Sequence, residues 1–136
     1  MGAYSSSMVK AHLNKALERL KVAERLFSEG YYEDAVSRAY YAMYHAAKAA
    51  LAVVNVFPTT HEGVVAEFGR RLVLSGDFPK ELGKSLADAK AARETYEYSA
   101  RAMVDRLEAE AILSDAKVFV DKVKGYLARK SEHSSK

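Results

Sequence analysis

The chain has 136 residues, the length of one domain that can bury its own core, and 49% of them are hydrophobic, too many for a disordered chain. It has no cysteine, which excludes disulfides and thiolate metal sites and points to a reducing, cytoplasmic setting. Its net charge of +3 suits an anionic partner without specifying one, and no apolar run approaches the roughly 18 uncharged residues of a membrane span.

Residues Met1 to Ser7 lack an apolar signal core, so secretion is not expected. The first helix is predicted over about Met8 to Glu29, with Ser7 as N-cap and Gly30 just past its end. Leu13, Leu17, Leu20, Ala23, Leu26 and Phe27 recur at three- and four-residue steps and make one apolar stripe. Tyr32 to Val54 reads as a second helix, apolar on most sides and rich in alanine, which places it at the centre of a bundle. In the following loop, Asn55 to Thr60, Pro58 cannot continue the helix, and Thr59 with Glu62 reads as a capping box for a third helix ending near Ser75-Gly76. Pro79 suits the first turn of a fourth helix, which runs to about Ser99. A fifth is expected over about Glu108 to Arg129, and the polar tail Lys130 to Lys136 reads as disordered. The elements predict an all-α protein of about five helices in a single domain, with an ordered core over about residues 8–129.

The second helix carries the informative polar pattern. At about 100° per residue, Asp34, Arg38, Tyr41, His45 and Lys48 fall within about 80° of one another. Asp34 and Arg38 are spaced to pair. Arg38 and His45 lie two turns apart, about 10 Å along the axis, and their side chains can converge on a phosphate. A histidine there can move a proton near neutral pH. The stripe is either such a ligand site or a bundle edge or self-association surface holding an ion pair. Tyr41 shares the stripe and can stack on a base. Tyr40 and Tyr44 are assigned to the opposite face, as core or interface. His61 beside the third helix's cap either bonds a backbone group or reaches a site, and His12 and His133 read as surface residues. Arg93 and Glu97 are spaced to pair near the end of helix four, with Tyr98 one residue on. With no cysteine and no His-x-x-His or Glu-x-x-His pair, no metal or other cofactor is expected.

The run Ser37 to Leu51, SRAYYAMYHAAKAAL, resembles the second helix of small prokaryotic HEPN (higher eukaryotes and prokaryotes nucleotide-binding) proteins. Thr60-His61-Glu62-Gly63 with Phe68-Gly69, Phe78 to Gly83, and Ala92-Arg93 through Tyr98 extend the resemblance over about residues 10 to 128. It implies an up-and-down four-helix bundle with an additional C-terminal or short helix, often a symmetric homodimer. It also implies frequent pairing with a minimal nucleotidyltransferase in a toxin–antitoxin or defence module. Many members are metal-independent endoribonucleases with the signature Arg, four to six residues, then His. In this chain Arg93-x4-Tyr98 occupies the signature's place with tyrosine for histidine, and Arg38-x6-His45 has its spacing on helix two. Tyrosine, with a pKa near 10, is a poor base at neutral pH. The favoured expectation is a nucleotide- or RNA-binding protein of such a module, with Asp34, Tyr41, Lys48 and His61 binding the ligand. The alternatives are a metal-independent endoribonuclease toxin using Arg38, His45, Arg93 and Tyr98, and a helical homodimeric interaction protein without a ligand.

Overall fold

The computed structural model describes residues 3–134. Five helices account for its regular structure: α1 (Ala3–Ser28), α2 (Tyr32–Val53), α3 (His61–Phe68), α4 (Lys80–Tyr98) and α5 (Arg106–Ser134). No strand occurs among the described residues. A π-helical turn, Gly69–Val73, prolongs α3, with Leu74 N–H donating to the Gly69 carbonyl five residues back.

α2 lies at the centre and touches α1, α3, α4 and α5. Ala35, Ala39, Ala42, Ala46, Ala47, Ala49, Ala50 and Ala52 are all buried along it. Small side chains on several faces let four neighbours approach one axis. α1 answers with Ala16 and Ala23, both fully buried. On the other side Phe68 packs between Phe78 and Phe119, with ring centres 5.3 and 5.1 Å away, and Phe78 meets Tyr126 at 4.9 Å. Each such ring taken from water contributes roughly 1.5–3 kcal/mol.

Two helices end as their sequence demands. Past α1, Gly30 takes φ 88°; its N–H donates to the Phe27 carbonyl and Tyr31 N–H to that of Leu26. This is a Schellman ending, which needs a left-handed residue. Asn55, at φ 59°, ends α2 by the same pattern, with Asn55 N–H on Ala52 and Val56 N–H on Leu51.

Four boundaries differ from expectation. α1 starts at Ala3, not after Ser7, because its first turns lie against the end of α5, where Ser6, Val9 and Lys10 share a groove with Lys124, Leu127 and Lys130. The same contact carries α5 past Arg129 to Ser134, so residues 130–134 are helical; residues 135 and 136 lie outside the described ones. The cap of α3 is Thr60, whose Oγ1 accepts from Gly63 N–H at 2.9 Å, one residue after Thr59. Pro79 is the N-cap of α4, just outside its first turn. The fifth helix has a cap the composition had hidden: Asp105 Oδ1 accepts from Glu108 N–H at 2.8 Å.

Candidate functional site

Asp34 and Arg38 of α2 do not pair with each other, whereas Tyr41 and His45 meet residues brought by three other helices. Asp34 and Arg38 are both exposed, and among the described residues they form no ion pair. Their four-residue spacing allows pairing, but exposed partners gain little from it against side-chain entropy. Arg38 is exposed, whereas His45 is half-buried against His12 of α1. Asp34 instead lines a small cavity of about 70 Å³ with Glu33, Ser37, Arg93, Tyr96 and Glu97.

Tyr41, Tyr44, His45 and Lys48 are half-buried on α2 and form a continuous aromatic band with His61 of α3 and His12 of α1. His61 sits above it. Its ring stacks on Tyr44 at 4.6 Å and meets Tyr41 edge-on at 5.9 Å. The Tyr40 hydroxyl and His61 Nδ1 share a hydrogen bond of 2.7 Å. Burial holds the Tyr40 phenol well above its ordinary pKa, so the hydroxyl keeps its proton. Tyr44 thus belongs to the band, so its assignment to the opposite face does not hold, while Tyr40 is wholly buried in the core as expected and orients the band from below. Adjacent residues on a helix differ by only about 100°, which lets Tyr44 touch the His45 ring edge-on at 5.3 Å.

At the α1 end, His45 Nδ1 lies 3.1 Å from His12 Nδ1. The ring centres are 5.3 Å apart and the planes differ by 22°. The nitrogens are far closer than the centres, so the rings meet edge to edge in nearly one plane and share an N–H···N hydrogen bond. His12 is not a free surface residue. It follows the register of Ala16 and Ala23, the buried seam of α1, and that register was the signal available in the sequence. The side chain of His133 lies outside the described residues.

At the α4 end, Arg93 is only 8% exposed. Its guanidinium lies over the rings of Tyr40 and Tyr41, 5.1 and 5.3 Å from their centres. Nη1 donates to Glu97 at 2.6 Å and approaches the Tyr41 hydroxyl at 3.4 Å, while Nε is buried without a partner. Tyr98 is 78% exposed, whereas Arg93 is buried. The last turn of α4 directs it elsewhere, so Arg93 and Tyr98 are not one constellation.

The charges divide unevenly along the band. Arg93 is matched by Glu97, and Lys90 is held between Glu94 at 2.6 Å and Glu62 at 3.2 Å. At the opposite end Lys15 and Lys48 have no carboxylate partner among the described residues, and Arg19 is paired with Glu18. Lys48 sits 5.4 Å over the Tyr44 ring. The unbalanced positive charge therefore gathers around His12 and His45. Burial first, then His12, Lys15, Arg19 and Lys48, push His45 down to about 4. Burial, Lys48 and Lys15 lower His12, and burial with the Arg93 charge lowers His61. The lowered pKa values of all three imidazoles favour their neutral forms. No group of three or more metal-ligating His, Asp or Glu side chains gathers among the described residues, and no helix is long and apolar enough to cross a membrane.

Residues 9–126 match the HEPN domain model. Two proteins of Methanocaldococcus jannaschii are similar across most of their length. One, named "Putative toxin MJ0142", is 32% identical over 88% of this chain and 81% of its own. The other, named "Putative toxin MJ0605", is 36% identical over 85% of this chain and 86% of its own. A UPF0332 protein of Gloeobacter violaceus is 29% identical over 86% of this chain and 94% of its own. With the helical bundle and the family match covering the same residues, this chain belongs to the HEPN domain family.

Proposed function

We propose that this HEPN protein is toxin-like and binds single-stranded RNA along the α2 band, as one half of a toxin–antitoxin or defence module. One observation carries the reading: a half-buried aromatic and imidazole band flanked by the unmatched cations Lys15 and Lys48. The exposed parts of Tyr41, Tyr44 and His61 offer aromatic surface to bases, and the lysines draw phosphates. The band runs across residues of four helices, which suits an extended strand better than a single nucleotide. The names of the two Methanocaldococcus relatives support the toxin side. A homodimer and a minimal nucleotidyltransferase partner complete the proposal, as the family resemblance implies.

The test is fluorescence anisotropy with labelled single-stranded RNA, beside an ATP titration, at several salt concentrations. Two phosphate contacts give a log–log salt slope of about −1.4, and Lys15→Ala or Lys48→Ala each removes about 0.7 of it. Neither ligand binding at low salt sinks the reading. Co-expression with the neighbouring gene product, followed by co-purification, tests the partner.

A second reading has its own observation: neutral imidazoles stand beside a positive field. In metal-independent cleavage, His45 or His61 removes the proton of a 2′-hydroxyl while the cations hold the scissile phosphate. Arg93, already bonded to Glu97, serves to position Tyr41 rather than to hold phosphate. Incubation with cellular RNA in EDTA, beside His45→Ala and His61→Ala, decides it; equal cleavage by all three removes both histidines as catalysts.

A further inference from the structure

We infer that the α1–α2 seam is a phosphate site in which the His12–His45 pair takes up one proton when the anion binds; this deepens the RNA-binding reading and rests on it. The site is separate from Arg93, lies at the other end of the band, and is built by two helices.

The geometry comes first. His12 and His45 face each other through Nδ1 at 3.1 Å in nearly coplanar rings. One ring must donate from Nδ1 and the other accept. The donor ring then has a bare Nε2, and the acceptor ring an Nε2–H. One more proton on the bare Nε2 makes an imidazolium whose charge is shared through a charge-assisted N–H···N bond. Both outer nitrogens then become donors. The protein provides a place for that proton, and nothing in the free protein favours filling it.

The surrounding charges explain why. Lys15 and Arg19 lie three and seven residues along α1 from His12, on the same face, and Lys48 lies three residues along α2 from His45. These are the cations that act on the pair, with the Tyr44 ring edge closing its α2 side. No carboxylate is hydrogen-bonded to either ring. A field in which Glu18 matches Arg19 but Lys15 and Lys48 have no carboxylate partner among the described residues opposes protonation. A phosphate drawn between Lys15 and Lys48 cancels that field and accepts from the new N–H. Anion binding and proton uptake therefore strengthen each other by the same factor.

The chemistry recognised is a tetrahedral oxyanion, from an RNA diester or from free inorganic anion, and two arms separate these sources. In the first, an unphosphorylated RNA oligonucleotide, whose diesters keep constant charge, is titrated from about pH 8 to about pH 5.5. Affinity should rise about three- to tenfold per pH unit, the upper bound being one full proton. His12→Asn and His45→Asn should flatten this slope, while His61→Asn weakens binding and keeps it. Circular dichroism confirms that each variant is folded, and the pair of variants guards against one of them failing. In the second arm, sulfate, also of constant charge, is added to the whole protein while histidine ring resonances are followed by NMR. The His12 and His45 midpoints should rise together and that of His61 far less. RNA binding that is flat with pH, or a slope that survives both asparagine variants, overturns the inference and leaves the RNA reading standing. Sulfate moving both rings while RNA fails to bind supports the site and removes RNA as its source. Rings unmoved by sulfate overturn the site outright.

Discussion

Tyr40→Phe isolates the one hydrogen bond that aims His61 into the band. Tyr40 is wholly buried, and its hydroxyl is hydrogen-bonded to His61 Nδ1 at 2.7 Å. Phenylalanine keeps the ring beneath Arg93 and beside Tyr41, so the aromatic contacts survive. What is lost is one hydrogen bond, worth about 0.5–1.5 kcal/mol net. The lower half of that range applies, because His61 is only half-buried and its freed nitrogen can turn to water. For a chain of this length, a loss of about 1 kcal/mol lowers Tm by roughly 3–4 °C. The charge state of His61 should change as well. The bond to the Tyr40 hydroxyl holds the ring where burial lowers the His61 pKa. Without the hydroxyl the midpoint should rise toward the ordinary value. Thermal melts by circular dichroism and an NMR titration of the His61 ring read the two effects. An unchanged Tm together with an unmoved His61 midpoint would falsify the argument that Tyr40 orients this imidazole.

Three further outcomes follow from the packing and the charges. Gly63→Ala should cost about 1 kcal/mol or more despite alanine's better helix propensity, because the new Cβ would stand 2.9 Å from Thr60 Oγ1 and 3.3 Å from Pro58 Cβ and dislodge the cap; chemical denaturation should show Thr60→Ala adding little on top of it. Ala46→Leu at the centre of α2 should cost about 1–3 kcal/mol by overpacking, whereas Ala111→Leu on the exposed face of α5 should change stability little. The folded protein should also lose stability in mild acid. The folded pKa values of His12, His45 and His61 lie below the ordinary 6.5, so the unfolded chain binds more protons. The stability is complete above about 6.5 and falls as pH drops toward the His45 value of about 4. Urea midpoints measured across that window should decline, and His45→Asn should shallow the decline; midpoints constant with pH contradict the neutral assignment.

The order and character of the helices were legible in the chain itself. Three- and four-residue apolar steps mark α1, and the alanine-rich, nearly uniform apolarity of the next segment places it at the centre, where α2 lies. Gly30 after α1 marks a left-handed stop, because only there does a missing Cβ remove the steric cost. The Arg93–Glu97 pair was legible for a similar reason, since both partners belong to one helix and their spacing alone brings them together.

What the sequence could not decide is which residues from different helices face one another. Spacing along a helix sets each side chain's angle about its own axis and says nothing about which element lies opposite. Asp34, Arg38 and His45 share a stripe by that rule, yet Arg38 stays in solvent, Asp34 turns to the α4 side and His45 finds His12 on α1. His61 reaches Tyr40 and Tyr44 only because α3 folds back over α2, and Arg93 covers Tyr41 only because α4 does the same. The ends of α1 and α5 extend beyond their local signals because each supplies the other's contact. Local chemistry writes the helices, and the band exists only once tertiary packing has brought four of them together.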